Sequence, residues 1–308
     1  MSTGEGAAND AGVGGGTSLS IHGYQEPDVK LHLVNIDTLV KLERNDPGVA
    51  GLTVDCLAMF FHGDNDHDAY YGKFQRLGRA IGNSMHLRTV HWSCITRLNA
   101  SHYALSNFFT SVSRNSTIEC LSIDAGHFNP DISFDVIYAL EPFHSVVRSI
   151  KICQFNDFPA TSFISVLLTS PMSKLLKQID LSDNRIGENH ATNTIVDVIN
   201  GMSGLRNLVD LNLRGNCIGK EGCVALAGLL TNLASQIHYI AIGNNYIDDE
   251  CMDILIDAWR LEESALKTLD FDYGLYLSAE GWERFFSSFL SDVKCSIENL
   301  LLGENNTI

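Results

Sequence analysis

Short bursts of alternating apolar and polar residues recur along the chain. In Leu208-Val209-Asp210-Leu211-Asn212-Leu213-Arg214-Gly215-Asn216-Cys217-Ile218-Gly219, apolar residues fall at places one, four, six and eleven, and asparagine falls at place nine. The same frame fits Leu176, Ile179, Leu181, Asn184 and Ile186, and again Ile237, Ile240, Ile242, Asn245 and Ile247. Taking place four as a marker gives Leu57, Val90, Leu121, Ile150, Ile179, Leu211, Ile240, Leu269 and Leu300, with steps of 33, 31, 29, 29, 32, 29, 29 and 31 residues. A period of this size marks an array in which each repeat is one supersecondary unit.

Alternation at places three to seven is the period of a short strand with one buried face. The asparagine follows where the chain must leave that strand. Facing inward, its amide can satisfy main-chain donors and acceptors that the bend leaves unpaired, so its role is structural. Gly219-Lys220-Glu221-Gly222 then leads into Val224, Leu226, Leu229 and Leu230, and Ser278-Ala279-Glu280-Gly281 into Trp282, Phe285 and Phe289, at helical spacing. Ile195, Val198 and Ile199, then Met252, Leu255 and Ile256, fill the same place in two further repeats. Each repeat therefore reads as strand, turn, helix, return.

One such unit cannot bury both of its apolar faces, so neighbours stack and the strands form a parallel sheet with helices outside. Helices need about 8–10 Å where strands need about 4.8 Å, so the stack is expected to bend with the sheet on the inner side. The fold class is α/β, a solenoid.

The frame in Leu176 to Ile247 resembles leucine-rich repeat proteins, specifically the long-repeat class typified by ribonuclease inhibitor. The resemblance extends over residues 54–308 and implies a right-handed β/α horseshoe with a parallel inner sheet. Ile95, Gly126, Phe155 and Gly274 replace the asparagine in four repeats, and Asn156 suggests a one-residue slip in the repeat of Val147, Ile150 and Ile152, so those turns are expected to be irregular. Residues 29–53, with Leu39, Val40 and Leu42 among charges, read as a helical amino-terminal cap. Ile297, Leu300, Leu302 and Asn305 open a last repeat that is incomplete at Ile308.

Residues 1–28 are glycine-rich and poor in apolar side chains, a composition expected to stay disordered because it buries too little surface to offset ordering entropy. There is neither a secretory signal nor an apolar run of membrane-spanning length, which points to the cytoplasm, or the nucleus. The eight cysteines stand singly, without a Cys-x-x-Cys pair, and read as small core residues bearing free thiols. The sequons at Asn99, Asn115 and Asn305 are expected to go unused in a reducing compartment. A net charge of −16 disfavours nucleic acid and anionic membranes and favours a partner with a basic surface.

His62-Gly63-Asp64-Asn65-Asp66-His67-Asp68 is the densest set of ligand-type residues. Asp64, Asp66 and Asp68 match places one, three and five of a calcium loop, but Ala69 stands where glycine is needed and Gln75 where a bidentate glutamate is needed. The segment reads as a strand-to-helix loop with Asp68 capping the helix, and no metal or other cofactor is expected. Neither a nucleophile elbow nor a zinc-protease, phosphate-loop or dinucleotide motif occurs, so no catalytic residue is assigned.

The informative surface is the polar face of the strands. Its candidate partner-binding residues are Asp180, Ser182, Asp183, Asp210, Asn212, Arg214, Tyr239, Asn244, Asp270, Asp272 and Tyr273. Tyrosines offer rigid amphipathic area and carboxylates can receive lysine or arginine, the mixture found at interface hot spots. The expected function is non-enzymatic binding of a protein on the concave face. The resemblance supplies an alternative, because the same repeat class builds GTPase-activating proteins of the small GTPase Ran, although none of their active residues maps onto this chain.

Overall fold

In the computed structural model the described residues are 30–32, 36–55, 67–93, 102–124, 146–154, 159–187, 192–233, 236–259, 264–290 and 296–303. The strands are β1 (Lys30–His32), β2 (Gly51–Asp55), β3 (Thr89–Ser93), β4 (Cys120–Asp124), β5 (Ser149–Cys153), β6 (Gln178–Asp180), β7 (Asp210–Asn212), β8 (Tyr239–Ala241), β9 (Ile247–Asp248), β10 (Thr268–Asp270), β11 (Leu275–Tyr276) and β12 (Asn299–Leu301). The α-helices are α1 (Ile36–Glu43), α2 (His67–Asn83), α3 (His102–Val112), α4 (Ala160–Thr169), α5 (Thr192–Met202), α6 (Gly219–Asn232), α7 (Asp249–Trp259) and α8 (Ala279–Leu290).

Ten strands form one parallel sheet in the order β1-β2-β3-β4-β5-β6-β7-β8-β10-β12, so each repeat lays its strand beside that of the repeat before it. Val90, Leu121, Ile150, Ile179, Leu211, Ile240, Leu269 and Leu300 stand opposite one another in a continuous row, as their shared place in the repeat requires. In β3 and β4 the alternation buries Val90 and Trp92, then Leu121 and Ile123. These side chains share a single apolar core with helix residues such as Phe108, Ile199, Leu226 and Leu255. One face of the sheet is thereby committed to the helices, and its other face carries the polar places.

The first repeat departs from the expected frame. Leu52, not Leu57, pairs with Val90, and Val54 pairs with Trp92. Leu52 and Val54 are the buried members of β2, which begins at Gly51, inside the segment expected to be the cap. That segment also holds a strand, β1, before its helix α1. A near-constant period favoured Leu57 in sequence, whereas the alternating pair Leu52 and Val54 is what the core accepts.

The Gly274 turn is shorter than expected. Leu275 pairs with Ile247 across β9 and β11, although Ile247 holds place eleven of its repeat and Leu275 place ten. One residue has been lost at the missing asparagine, and Tyr273 and Gly274 both take left-handed conformations to close the turn, with φ of 67° and 77°. In α6 the buried stripe is Gly222, Cys223, Ala225, Leu226, Leu229 and Leu230, and Val224, expected on the covered side, is 55% exposed. Glycine is required at 222 by close packing, because a Cβ there would stand 2.6 Å from Ile218 Cγ2.

The asparagines tie neighbouring repeats together. Asn216 is fully buried; its Nδ2 donates to the carbonyls of Leu181 (2.8 Å), Leu213 (3.0 Å) and Arg214 (3.2 Å), and its Oδ1 accepts the Ile186 amide at 3.1 Å. Asn184 donates to Ile152 and Leu181, and Asn245 to Leu213, Ile242 and Gly243, while Asn245 Oδ1 accepts the Ile218 amide. Asn115 plays the same part where α3 returns to β4, donating to Ile81 and Ser84 and accepting the amides of Thr117 and Ile118. It is fully buried and its amide is engaged at both ends, so the folded chain has no room for a glycan there. Asn99 and Asn305 lie outside the described residues, as do residues 1–28 and the Phe155–Asn156 turn. Of the cysteines, Cys153, Cys223 and Cys251 are buried, Cys120 and Cys217 are half-buried, and all five carry free thiols.

Candidate functional site

The parallel register sets the polar places of β6, β7, β8 and β10 side by side. Gln178, Asp210, Tyr239 and Thr268 form one row, and Asp180, Asn212, Ala241 and Asp270 the next. Main-chain pairing continues past the strand ends, with Asp183 donating to the Arg214 carbonyl, Gly215 to Gly243, and Asn244 to Tyr273. Ser182, Arg214, Gly243 and Asp272 accordingly follow as a third row, with Asp183, Gly215, Asn244 and Tyr273 at the rim.

Most of the carboxylates in these rows are already engaged. Asp180 Oδ1 accepts the Ser182 amide at 2.9 Å, Asn212 Oδ1 that of Arg214 at 3.0 Å, and Asp270 Oδ1 that of Asp272 at 2.9 Å. An aspartate or asparagine at place five thus bonds main chain two residues on, as such side chains do wherever a strand bends into a turn. Asp180 Oδ2 faces Lys151 Nζ at 3.5 Å, and Asp270 Oδ2 accepts the Tyr239 hydroxyl at 2.8 Å. Asp210 Oδ2 accepts Gln178 Nε2 at 2.6 Å, and Asp272 Oδ1 accepts the Gly303 amide at 2.6 Å.

Ionisation follows from these partners. Burial pushes the Tyr239 phenol up, and the charge of Asp270 adds to it, so Tyr239 stays a neutral donor. Burial works to lower the Lys151 ammonium, but the Asp180 carboxylate, with Cys153 and Asp124 adding, more than offsets it and raises the group overall. Asp183 is shifted up by desolvation, against an opposing pull from Arg214. Its residue is exposed, yet its carboxylate lies against the main chain of the next repeat: a Cβ on Gly215 would fall 2.1 Å from Asp183 Oδ1.

The third row holds a contact that spans two strand spacings. Arg214 extends from the β7 repeat over β8 and places its guanidinium carbon 4.6 Å from the centroid of the Tyr273 ring, in the β10 repeat. Beneath the crossing lie Ala241 and Gly243, both buried despite having almost no side chain. Asp183, Gly215, Asn244 and Tyr273 all have φ between 51° and 67°. Aspartate, glycine and asparagine tolerate that region, whereas a tyrosine there is strained, so the ring is held where its backbone would not otherwise put it.

All eleven residues singled out from sequence belong to these rows or their rim. Sequence reasoning left out Lys151, which pairs with Asp180, and gave no role to Ala241 and Gly243, which it placed on this face and whose smallness lets Arg214 cross. Applying the polar frame one repeat further toward the amino terminus would have found Lys151. The same face continues through His91 and Ser122, whose side chains meet at 2.8 Å. Asp64 and Asp66 of the acidic segment lie outside the described residues, and α2 begins at His67. Among the described residues no three His, Cys, Asp or Glu side chains gather to hold a metal ion. Nor is any helix there long and apolar enough to cross a membrane. Amides, carboxylates, a phenol and a stacked guanidinium in fixed rows can recognise a ligand through hydrogen bonds and charge.

No family model and no curated protein matches the chain. Solved structures similar to it include a protein from Bacteroides fragilis, 13% identical over 88% of this chain and 70% of that one, with a TM-score of 0.43. Another is a chain of the TLR13–ssRNA13 complex, 14% identical with a TM-score of 0.37; the match covers 86% of this chain and 35% of that chain. At these values neither likeness bears on what the chain does.

Proposed function

We propose that the chain is a leucine-rich repeat protein of the ribonuclease-inhibitor-like class, a horseshoe solenoid that works as a non-enzymatic interaction module. It binds another protein on the helix-free, concave face of its sheet, in the cytoplasm or the nucleus. The observation that carries this reading is the ordered display of polar side chains by β6, β7, β8 and β10 on the face turned away from the core. Side chains already fixed by hydrogen bonds lose little entropy on binding, which favours a preformed docking face. The net charge of −16 steers a basic surface toward it.

The test is affinity purification with the full chain beside the triple variant Asp180→Asn, Asp210→Asn, Asp270→Asn. Asparagine keeps an oxygen to accept the turn amides at 180 and 270 and the Gln178 side-chain amide at 210, so the fold is preserved while three charges are removed. A control, Glu283→Gln, alters an exposed residue of α8 instead. Partners held by the wild type and the control but released by the triple variant support the reading; retention of every partner by the triple variant removes it.

A further inference from the structure

Lys151 pairs with Asp180 on this face, whereas Arg214 forms no ion pair among the described residues. Asp180, Asp210, Asp270 and Asp272 each accept at least one hydrogen bond from a neighbouring residue. Arg214 makes no ion pair with any described carboxylate, and its Nε is buried without a hydrogen-bond partner among the described residues. A buried donor left unmade costs about 1–3 kcal/mol, and more where it carries charge, a cost that an incoming acceptor beside the guanidinium would offset. The guanidinium is also braced, by stacking on a tyrosine whose own backbone is strained. The floor of Ala241 and Gly243 offers no side-chain acceptor, and Asp183, which feels the charge of Arg214, makes no ion pair with it among the described residues, so an acceptor on a bound partner can complete the guanidinium.

We propose that Arg214, carried over β8 and braced on Tyr273, is an anion-reading point that receives an aspartate or glutamate side chain of a bound polypeptide whose flanking residues are basic. This rests on the reading of the helix-free face as a partner-binding surface and specifies what that partner carries. A planar carboxylate matches the fork of the guanidinium. A phosphate dianion is disfavoured, because it would lie among Asp180, Asp183, Asp270 and Asp272 and double the repulsion that a single carboxylate meets. Basic flanks answer those same aspartates. The partner's contact segment is thus one acid between bases, a pattern distinct from a uniformly basic surface.

The experiment selects from a library of short peptides with lysine- and arginine-biased flanks and a central glutamate, glutamine or phosphoserine, using immobilised full-length chain. Wild type is expected to enrich central glutamate over glutamine by about fivefold or more, a modest share of one charge-assisted hydrogen bond. Arg214→Gln should bring that ratio to about one, Tyr273→Ala should lower it, and Tyr273→Phe should keep it, with thermal melts confirming that each variant folds. Equal capture of glutamate and glutamine peptides by wild type, basic flanks still being selected, overturns the anion point and leaves the binding face standing. Preference for phosphoserine overturns the ligand assignment. Capture of no basic peptide at all removes the underlying face and this inference with it. Should Arg214→Gln fail to fold, the wild-type glutamate-to-glutamine ratio still decides.

Discussion

The side-chain amide of Asn216 donates to the carbonyl of Leu181, 35 residues earlier in the chain, at 2.8 Å, and in return accepts the amide of Ile186 from that same earlier repeat. One side chain therefore closes the turns of two coils. Asn216→Ala leaves the buried Ile186 amide unpaired and takes one hydrogen bond from each of three carbonyls that keep a second donor, from Asn184, Asn245 and Asp183. At about 1–3 kcal/mol for the orphaned amide and about 0.5–1.5 kcal/mol for each lost bond, a total loss of about 4 kcal/mol is expected from denaturant titration. Asn207→Ala, which removes an exposed bond to the Lys174 carbonyl, is expected to cost less than about 1 kcal/mol.

Trp92 packs against Phe74, Phe108 and Phe109 with ring centroids between 4.8 and 5.9 Å, and its indole Nε1 is buried without a partner among the described residues. Two terms of opposite sign follow. Trp92→Ala empties the centre of the cluster and should cost about 4 kcal/mol. Trp92→Phe also removes the unpaired donor and should cost under about 2 kcal/mol. Equal losses for the two variants in urea titrations would refute this division.

Asp248 accepts the Cys251 amide at 2.9 Å, and Asp249 accepts both the amide and the hydroxyl of Ser278. These hydrogen bonds hold both carboxyls below the usual carboxylate value. A depressed folded value means that the stabilisation is present above the unfolded value and is lost as pH falls through the folded one. The double variant Asp248→Asn, Asp249→Asn should therefore melt below wild type at neutral pH, with the gap closing as pH drops from about 4 toward 2. A gap independent of pH in melting curves would show that charge plays no part.

Burial pushes the thiol of Cys153 up, and a hydrogen bond with Cys251 together with burial does the same for Cys223. Neither forms thiolate near neutrality, and both are almost fully covered. Iodoacetamide labelling of native protein, read by peptide mass spectrometry, should modify half-buried Cys217 well before Cys153 or Cys223, and denaturant should abolish the order.

The sheet was legible because place four must be apolar in every repeat. From Val90 to Leu300 the marker row read from sequence is the row of paired residues in the structure. Legibility failed where a second apolar run competed, as Leu57 did with Leu52, and where a turn lost a residue, as at Gly274. The candidate face was legible as a pattern of polar places, since strand period alone assigns them. What each side chain does there was not. The Asp180 pair with Lys151 depends on a neighbour 29 residues away, and the reach of Arg214 to Tyr273 depends on two small residues in the intervening repeat.

The tie at each asparagine has a direction in time. The amide of Ile186 waits for Asn216 of the next coil, and that of Ile218 gains a second acceptor in Asn245, so these coils are finished by their successors. A chain that emerges from the ribosome amino end first meets this need in order, each newcomer sealing what precedes it. Shuffling or deleting one coil would leave a seam on its upstream side, where the older surface keeps an unanswered amide.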